Sequence, residues 1–375
     1  METLLLITGI VLFLEGLFYT GLIGLFTFGW YRPNHGLKNA TAGPFIKITV
    51  IVAARNEENR IADLLADLAA QHYPSSMVEV IVIDDHSTDK TAGIVTDFII
   101  KQELTGFKLI RHEDGVGKKA AIALGIGIST GDVIFSTDAD CRMGPGWMTA
   151  MASYFKDETK VMIPGPVSYF PEKGLINQFQ SLEFSGLMAS GAGSAHAGQP
   201  FICNGANLAY RKSAFIRVSG FEGNEKFLSG DDVFLMHKMK KEFGNKAIGF
   251  AQDNNALVWT YPAPGLRAFF KQRIRWASKT TGYRDNLSIV TAISVFSLSL
   301  FLSATFFTGF YYPGLFIIFS SAILLKSLID LPLMWGVTGF TGTRRLMKWY
   351  LPFQVIYPFY VVVAGVCSLF ERKEW

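Results

Sequence analysis

The sequence predicts an α/β domain built on a mostly parallel sheet and held between membrane-spanning helices. Three observations predict it. Apolar residues gather at the two ends of the 375-residue chain. The middle alternates short β-rich apolar runs with helical periodicity, the pattern of parallel strands joined by crossover helices. Two of those runs end in aspartates.

Residues 4–30 (LLLITGIVLFLEGLFYTGLIGLFTFGW) carry one charge, Glu15. About 20 helical residues cross a hydrocarbon core, so a retained helix over 1–30 is expected. A signal peptide would need a basic start, a shorter apolar core and a small-residue cleavage site; this chain starts MET. Residues 287–310, 315–335 and 349–370 read as further spans in a C-terminal membrane region, 287–370. Basic residues mark one side of these runs: RPNHGLK after the first, Lys271, Arg273, Arg275, Lys279 and Arg284 before the second, Arg344, Arg345 and Lys348 between the third and fourth. The positive-inside rule then puts the middle of the chain in the cytoplasm. The terminal ERKEW would face outward, and its Arg372 and Lys373 weigh against that orientation of the last span.

Net charge is only +4, and the cations sit beside the spans. That favours anionic lipid headgroups over nucleic acid, which would call for a basic patch interleaved with aromatics. Cys141, Cys203 and Cys367 show neither metal spacing nor a disulfide framework, as expected of a reducing compartment.

In the middle, FIKITVIVAA (45–54) is a continuous apolar run, the pattern of a strand buried on both faces. Ile61, Leu64, Leu65 and Leu68 then fall on one helical face. VEVIVIDD (78–85) is a second buried strand, with Ser87 as an N-cap for a helix running to about Ile100. FKLI (107–110), the helix GVGKKAAIALGIGIS and the strand DVIFSTD complete the series. Ligands of such sheets bind at the carboxyl ends of the strands, where Asp84, Asp85, Asp138 and Asp140 all lie. No G-x-G-x-x-G follows the first strand and no P-loop exists. Phosphates would therefore be met by a divalent cation, Mg2+ or Mn2+, on the D-x-D carboxylates.

The ordered motifs resemble those of a membrane-bound family 2 glycosyltransferase with a GT-A nucleotide-sugar domain. IVAARNEE, VIDDHSTDKT, GKKAAIALGI, STDADC, FICNGANLAYRKSAF, SGDDVFLMHKM and QRIRW arrive in the family's order. The resemblance implies a cytoplasmic catalytic domain over 45–284 of an integral membrane protein, with interfacial helices near its end, in a bacterial inner membrane. It implies donor-binding roles for Ala54, Asn56, Glu57, Asp84, Asp85, Lys118, Lys119 and Asp138. Asp138 and Asp140 would hold the metal. Asp232 would be the general base; because Asp231 stands where the family usually has glutamate, a one-residue slip would make Asp231 the base. Asn204, Gly205, Gln272, Arg275 and Trp276 would serve the acceptor and the diphosphate.

The implied reaction moves a sugar from a nucleoside-diphosphate sugar, UDP-linked by family analogy, with inversion, to a lipid, lipid-linked or saccharide acceptor. A processive polysaccharide synthase is the nearest alternative, supported by QRIRW, although four spans are few for a translocation channel. A non-catalytic scaffold should have lost a carboxylate, and none is lost here. Several residues take blander expectations. Arg273 snorkels on the membrane surface. His86, His112, Trp259 and Tyr261 are structural. Glu15 finds a partner. Lys326 and Asp330, four apart, either pair on one face or sit at the headgroup level, the second being favoured. The Gly- and Phe-rich segment 181–205 is expected to be a mobile, membrane-facing acceptor region.

Overall fold

The computed structural model describes residues 2–32, 45–113, 117–223 and 230–370. Residues 33–38 of RPNHGLK, 115–116 of the GVGKKA run and the terminal ERKEW lie outside the described residues.

Strand β1 (Ile48–Ala54) is buried along almost its whole length, as its continuous apolar run requires. It pairs in parallel with β2 (Val78–Asp84) on one side and β4 (Val133–Asp138) on the other, with β3 (Phe107–Arg111) beyond β2. The register sets Ala54 opposite Asp84 and Ala53 opposite Asp138, so the acidic strand ends share one edge. Two antiparallel strands, β8 (Leu208–Arg211) and β6 (Met162–Pro164), extend the sheet to the order β3-β2-β1-β4-β8-β6. The order reverses between β1 and β4, where open sheets form their crevice. A small second sheet of β5 (Arg142–Met143), β9 (Val258–Thr260) and β7 (Val167–Tyr169), in the order β5-β9-β7, stands beside that edge.

The crossover helices are α2 (Ile61–Ala69), α3 (Thr91–Lys101) and α4 (Lys118–Ile128). In α2, Ile61, Leu64, Leu65 and Leu68 are buried, each stabilising by roughly 1.5–3 kcal/mol. Ser87 does not cap α3, which starts at Thr91; its Oγ instead accepts a hydrogen bond from the Asn56 amide at 3.0 Å. Helix α5 (Trp147–Ser153) packs under the sheet through Trp147, whose Nε1 donates to Asn207 at 3.0 Å.

Helix α6 (Leu175–His196) covers residues 181–196 of the segment expected to be mobile. Its small residues permit close helix packing. A Cβ on Gly193 would overlap the Phe26 carbonyl, and one on Gly29 would overlap the Gly193 carbonyl. Thus α1 (Glu2–Tyr31) and α6 cross backbone against backbone. On its other side, Phe184 stacks on Tyr169 at 4.5 Å, joining α6 to the sheet core. Helices α7 (Lys212–Arg217), α8 (Asp231–Phe243) and α9 (Gly265–Ser278) complete the α/β half.

Helices α1, α10 (Asn286–Thr308), α11 (Gly314–Phe340) and α12 (Tyr350–Ser368) form an apolar bundle, and among the described residues four helices are long and apolar enough to cross a membrane. Their outer faces expose Phe13, Leu17, Ile293, Ile317, Leu328 and Ile356, the side chains a bilayer would cover. Glu15 accepts from Ser297 Oγ at 2.9 Å. The favoured headgroup-level placement of Lys326 and Asp330 is overturned: both are buried in mid-helix and paired at 2.7 Å. Tyr19 on α1 donates to Asp330 at 2.9 Å, and Gln354 on α12 bonds both partners. Each charge is matched by neighbours on other helices, the condition under which apolar surroundings tolerate it.

Candidate active site

The first wall of the crevice is the loop after β1. Asn56 has φ 58°, a left-handed conformation that asparagine tolerates. Its side chain accepts from the Thr88 amide at 2.8 Å, while the Glu57 amide donates to Thr91 Oγ1 at 2.8 Å and the Glu58 amide to Asp89 at 3.1 Å. These bonds lace the β1 loop to the β2 loop, so the Asn56 side chain is engaged with the protein. Ala54 is buried against Asp84, which accepts from the Ser87 amide at 3.3 Å.

Asp85 is buried at the end of β2. It accepts from the Gly117 amide at 2.9 Å and bonds His112 Nδ1 at 3.1 Å and His86 Nδ1 at 3.2 Å. Burial would raise its pKa, but the bonds from His112, Gly117 and His86 outweigh it and hold the carboxyl below its usual range. His112 is therefore a positioning partner of Asp85. The histidine was legible only as a lone residue in sequence, because the contact crosses from β3 to β2. Asp85, His86 and His112 also bring three ligand atoms within 4.8 Å of one another.

At the end of β4, Asp138 pairs with Lys118. Asp140 accepts from Thr260 Oγ1 at 3.2 Å and lies 3.7 Å from the Arg60 guanidinium. Arg60 itself lies over the Tyr261 ring at 4.5 Å; neither residue was singled out as functional in sequence. Burial, and then the Asp138 charge, raise the pKa of Asp140. Burial and then Asp140 raise that of Glu57. Crowded carboxylates that destabilise one another's charge are a donor set of hard oxygens that fits Mg2+ or Mn2+.

The third wall is the start of α8. Asp231 and Asp232 point to different partners: Asp231 pairs with Lys119 at 2.9 Å, whereas Asp232 Oδ2 accepts from the Gly205 amide at 2.7 Å and Oδ1 from Val233. Burial raises the pKa of Asp231, and Lys119 offsets part of that rise. The Asn204–Gly205 turn is fixed by its own bonds, Asn204 Oδ1 accepting from the Ala206 amide at 2.9 Å. The Ala206 carbonyl accepts from Thr137 of β4 at 2.9 Å, which ties this turn to the strand that ends in Asp138. Gly230, at φ +91°, lies against the aliphatic stem of Lys279, where a Cβ would come within 2.7 Å. Burial lowers the Lys279 pKa, the Asp232 charge opposes this, and the Arg275 charge adds to it. Lys279 thus belongs to the same charge cluster as Asp232, although its sequence position beside a span gave it only a membrane role.

The QRIRW helix corrects one expectation outright. Arg273 does not snorkel: it is buried, paired with Glu183 on α6, and lies over Phe269 at 4.7 Å and Trp276 at 4.3 Å. Glu183 also accepts from Tyr360 of α12 at 2.8 Å. Gln272 accepts from Arg273, so its oxygen is engaged within the helix. Trp276 is half-buried near Phe184, and Arg275 is exposed. Arg273 therefore joins three helices.

Residues 49–219 match the family model for glycosyl transferase family 2. The chain is 25% identical over 318 residues to a probable glycosyltransferase, YdaM, of Bacillus subtilis, covering 82% of this chain and 71% of that protein. It is 32% identical over 152 residues to a beta-monoglucosyldiacylglycerol synthase of Nostoc, covering 39% of this chain and 31% of that protein; it therefore spans about a third of that relative's length. Among solved structures, a mannosyltransferase from Pyrobaculum calidifontis, in complex with GDP-Man and Mn2+, shares the fold over 99% of both chains, with a TM-score of 0.66 and 18% identity.

Proposed function

We propose that this chain, which carries a family 2 glycosyltransferase domain on a GT-A-like α/β fold, moves a sugar from a nucleoside-diphosphate sugar to a lipid or lipid-linked acceptor at the cytoplasmic membrane face. One observation carries the reading. Carboxylates from the ends of β2 and β4 and from the start of α8 line one crevice at the strand-order reversal, and α6 and α9 join that crevice to the apolar bundle.

In this reading Asp85, fixed by Gly117 and His112, faces the nucleoside. Lys118 sits beside Asp138 and meets phosphate charge. Asp138 and Asp140 would hold a divalent cation, which supplies Lewis-acid withdrawal of charge from the departing diphosphate. Asp232 Oδ2, held by the Gly205 amide, takes the proton of the acceptor hydroxyl as that oxygen attacks the anomeric carbon. A single displacement inverts the sugar. The lipid for which the Nostoc relative is named supports a lipid acceptor, and the placement of the crevice beside the bundle supports it independently.

The test is nucleotide release by full-length protein in lipid nanodiscs, over UDP-glucose, UDP-N-acetylglucosamine and GDP-mannose, with Mg2+ or Mn2+ and an added lipid extract. Release with one donor, lost in Asp232→Asn, supports the reading. A product that keeps the donor's anomeric configuration refutes the mechanism. A ladder of product lengths would install the polymer synthase that QRIRW favours.

A further inference from the structure

A groove of about 750 Å3 opens where the bundle meets the catalytic domain, between the end of α1 and the end of α11. Its floor is the backbone of α11. A Cβ on Gly336 would lie 2.7 Å from the Tyr31 hydroxyl and would overlap the Trp30 indole, and one on Gly339 would overlap the Arg344 guanidinium. Bare backbone thus lets the Trp30 indole, the Tyr31 hydroxyl, which donates to the Pro332 carbonyl at 2.7 Å, and the Arg344 guanidinium close in on the helix. Gln252 of the catalytic half closes the groove, donating to the Trp30 carbonyl at 3.4 Å.

The charges on its rim differ. Arg345 pairs with the buried carboxylate of Glu172. Arg344 lies over the Trp335 ring at 4.1 Å and donates to the Trp335 carbonyl at 2.9 Å. It is exposed and has no carboxylate partner among the described residues. One turn back toward the bundle centre, Leu331 on α11 and Phe28 on α1 are exposed apolar side chains. The groove is therefore cationic at its mouth, aromatic in its wall and apolar along its continuation. It opens at the depth where both helices end, the headgroup level of a bilayer around these helices.

We propose that this groove binds an anionic membrane phospholipid. The phosphodiester meets the Arg344 guanidinium, whose planar donors suit phosphate oxygens. The glycerol backbone rests on Trp335 and Tyr31, and an acyl chain runs over Leu331 and Phe28. Basic pockets between membrane helices on the cytoplasmic side favour such headgroups. The lipid then forms part of the joint between bundle and catalytic domain. Nothing in this depends on which sugar is transferred, and the test reads lipid retention instead of catalysis.

Full-length protein in neutral detergent is titrated with phosphatidylglycerol or phosphatidylcholine, and bound lipid is counted by mass spectrometry of the intact complex. The wild type should hold one phosphatidylglycerol in preference to phosphatidylcholine. Arg344→Gln should weaken that binding about fivefold, the share of one arginine near an anionic surface at about 1 kcal/mol, and Arg344→Lys should recover part of it. Melting in lipid-free detergent should match the wild type, since Arg344 is exposed; Trp335→Leu, which removes the stacking surface, repeats the test if it does not. Equal phosphatidylglycerol occupancy in the wild type and both variants overturns the proposal. So does equal affinity for phosphatidylcholine. Displacement of the lipid by millimolar inorganic phosphate overturns it in favour of a soluble phosphate site.

Discussion

Replacing Arg273 with methionine removes the cation between Glu183 and the rings of Phe269 and Trp276. Glu183 is left nearly buried, with the Tyr360 hydroxyl as its remaining donor. Breaking a buried ion pair from one side costs about 3–5 kcal/mol, because the stranded charge keeps its desolvation penalty. Unfolding entropy near 2.1 cal/mol/K per residue gives about 0.5 kcal/mol/K for an α/β half of about 240 residues, so a loss of about 4 kcal/mol lowers the melting temperature by about 8 °C. The assay is thermal unfolding of full-length protein in one detergent, for Arg273→Met, Glu183→Met and the double variant. A buried pair replaced on both sides by apolar residues is often neutral, so the double variant should melt closer to the wild type than either single variant does. A shift under about 2 °C for Arg273→Met would refute the reasoning, and so would additive losses in the double variant. Either result would return Arg273 to the membrane surface.

Three further outcomes are expected. Asp232→Asn should reduce transfer by about 10²–10⁴-fold, the usual share of a general base, while Asp231→Asn reduces it less; single-turnover rates at saturating donor compare the two, and the reverse order would make Asp231 the base. Glu79 is held at a pKa of about 2 against an ordinary 4.5: burial opposes the charge, but bonds from Lys108, Thr130 and Thr49 outweigh it. A carboxylate depressed by folding stabilises above its unfolded pKa and loses that contribution as pH falls through its folded one. Glu79→Gln should thus cost about 2–3 kcal/mol at pH 7, in melts whose difference from the wild type fades between about pH 4.5 and pH 2; a pH-independent difference would contradict this. Gly193→Ala puts a methyl into the Phe26 carbonyl and should cost about 1–3 kcal/mol by overpacking, seen as a lower melting temperature; an unchanged melt would mean that α1 and α6 sit farther apart.

Much of the crevice was legible in sequence because buried parallel strands leave unbroken apolar runs. In β2 and β4 those runs end where the carboxylates begin, so strand end and candidate site residue are read together. The antiparallel strands β6 and β8 were not legible, since three or four residues are too few to show a period. Arg273, Lys326 and Asp330 were misread for another reason. A charge near an apolar run is tolerated either at the interface or beside a partner, and only tertiary structure supplies the partner; Glu183 lies 90 residues from Arg273. The small residues of α6 looked mobile because a lack of side-chain bulk permits both freedom and close packing, and the neighbour that decides between them is α1.

The position of α6 also sets an order of assembly. Residues of β1 to β4 are made together and pair mainly with one another, so this half of the sheet can form while the rest of the chain is still on the ribosome. Helix α6 packs on α1, synthesised before it, and Glu183 pairs with Arg273, but it gains its Tyr360 donor only once α12 is made. The seam where α6 and α9 meet α12 is therefore completed only when the last of these helices is in place.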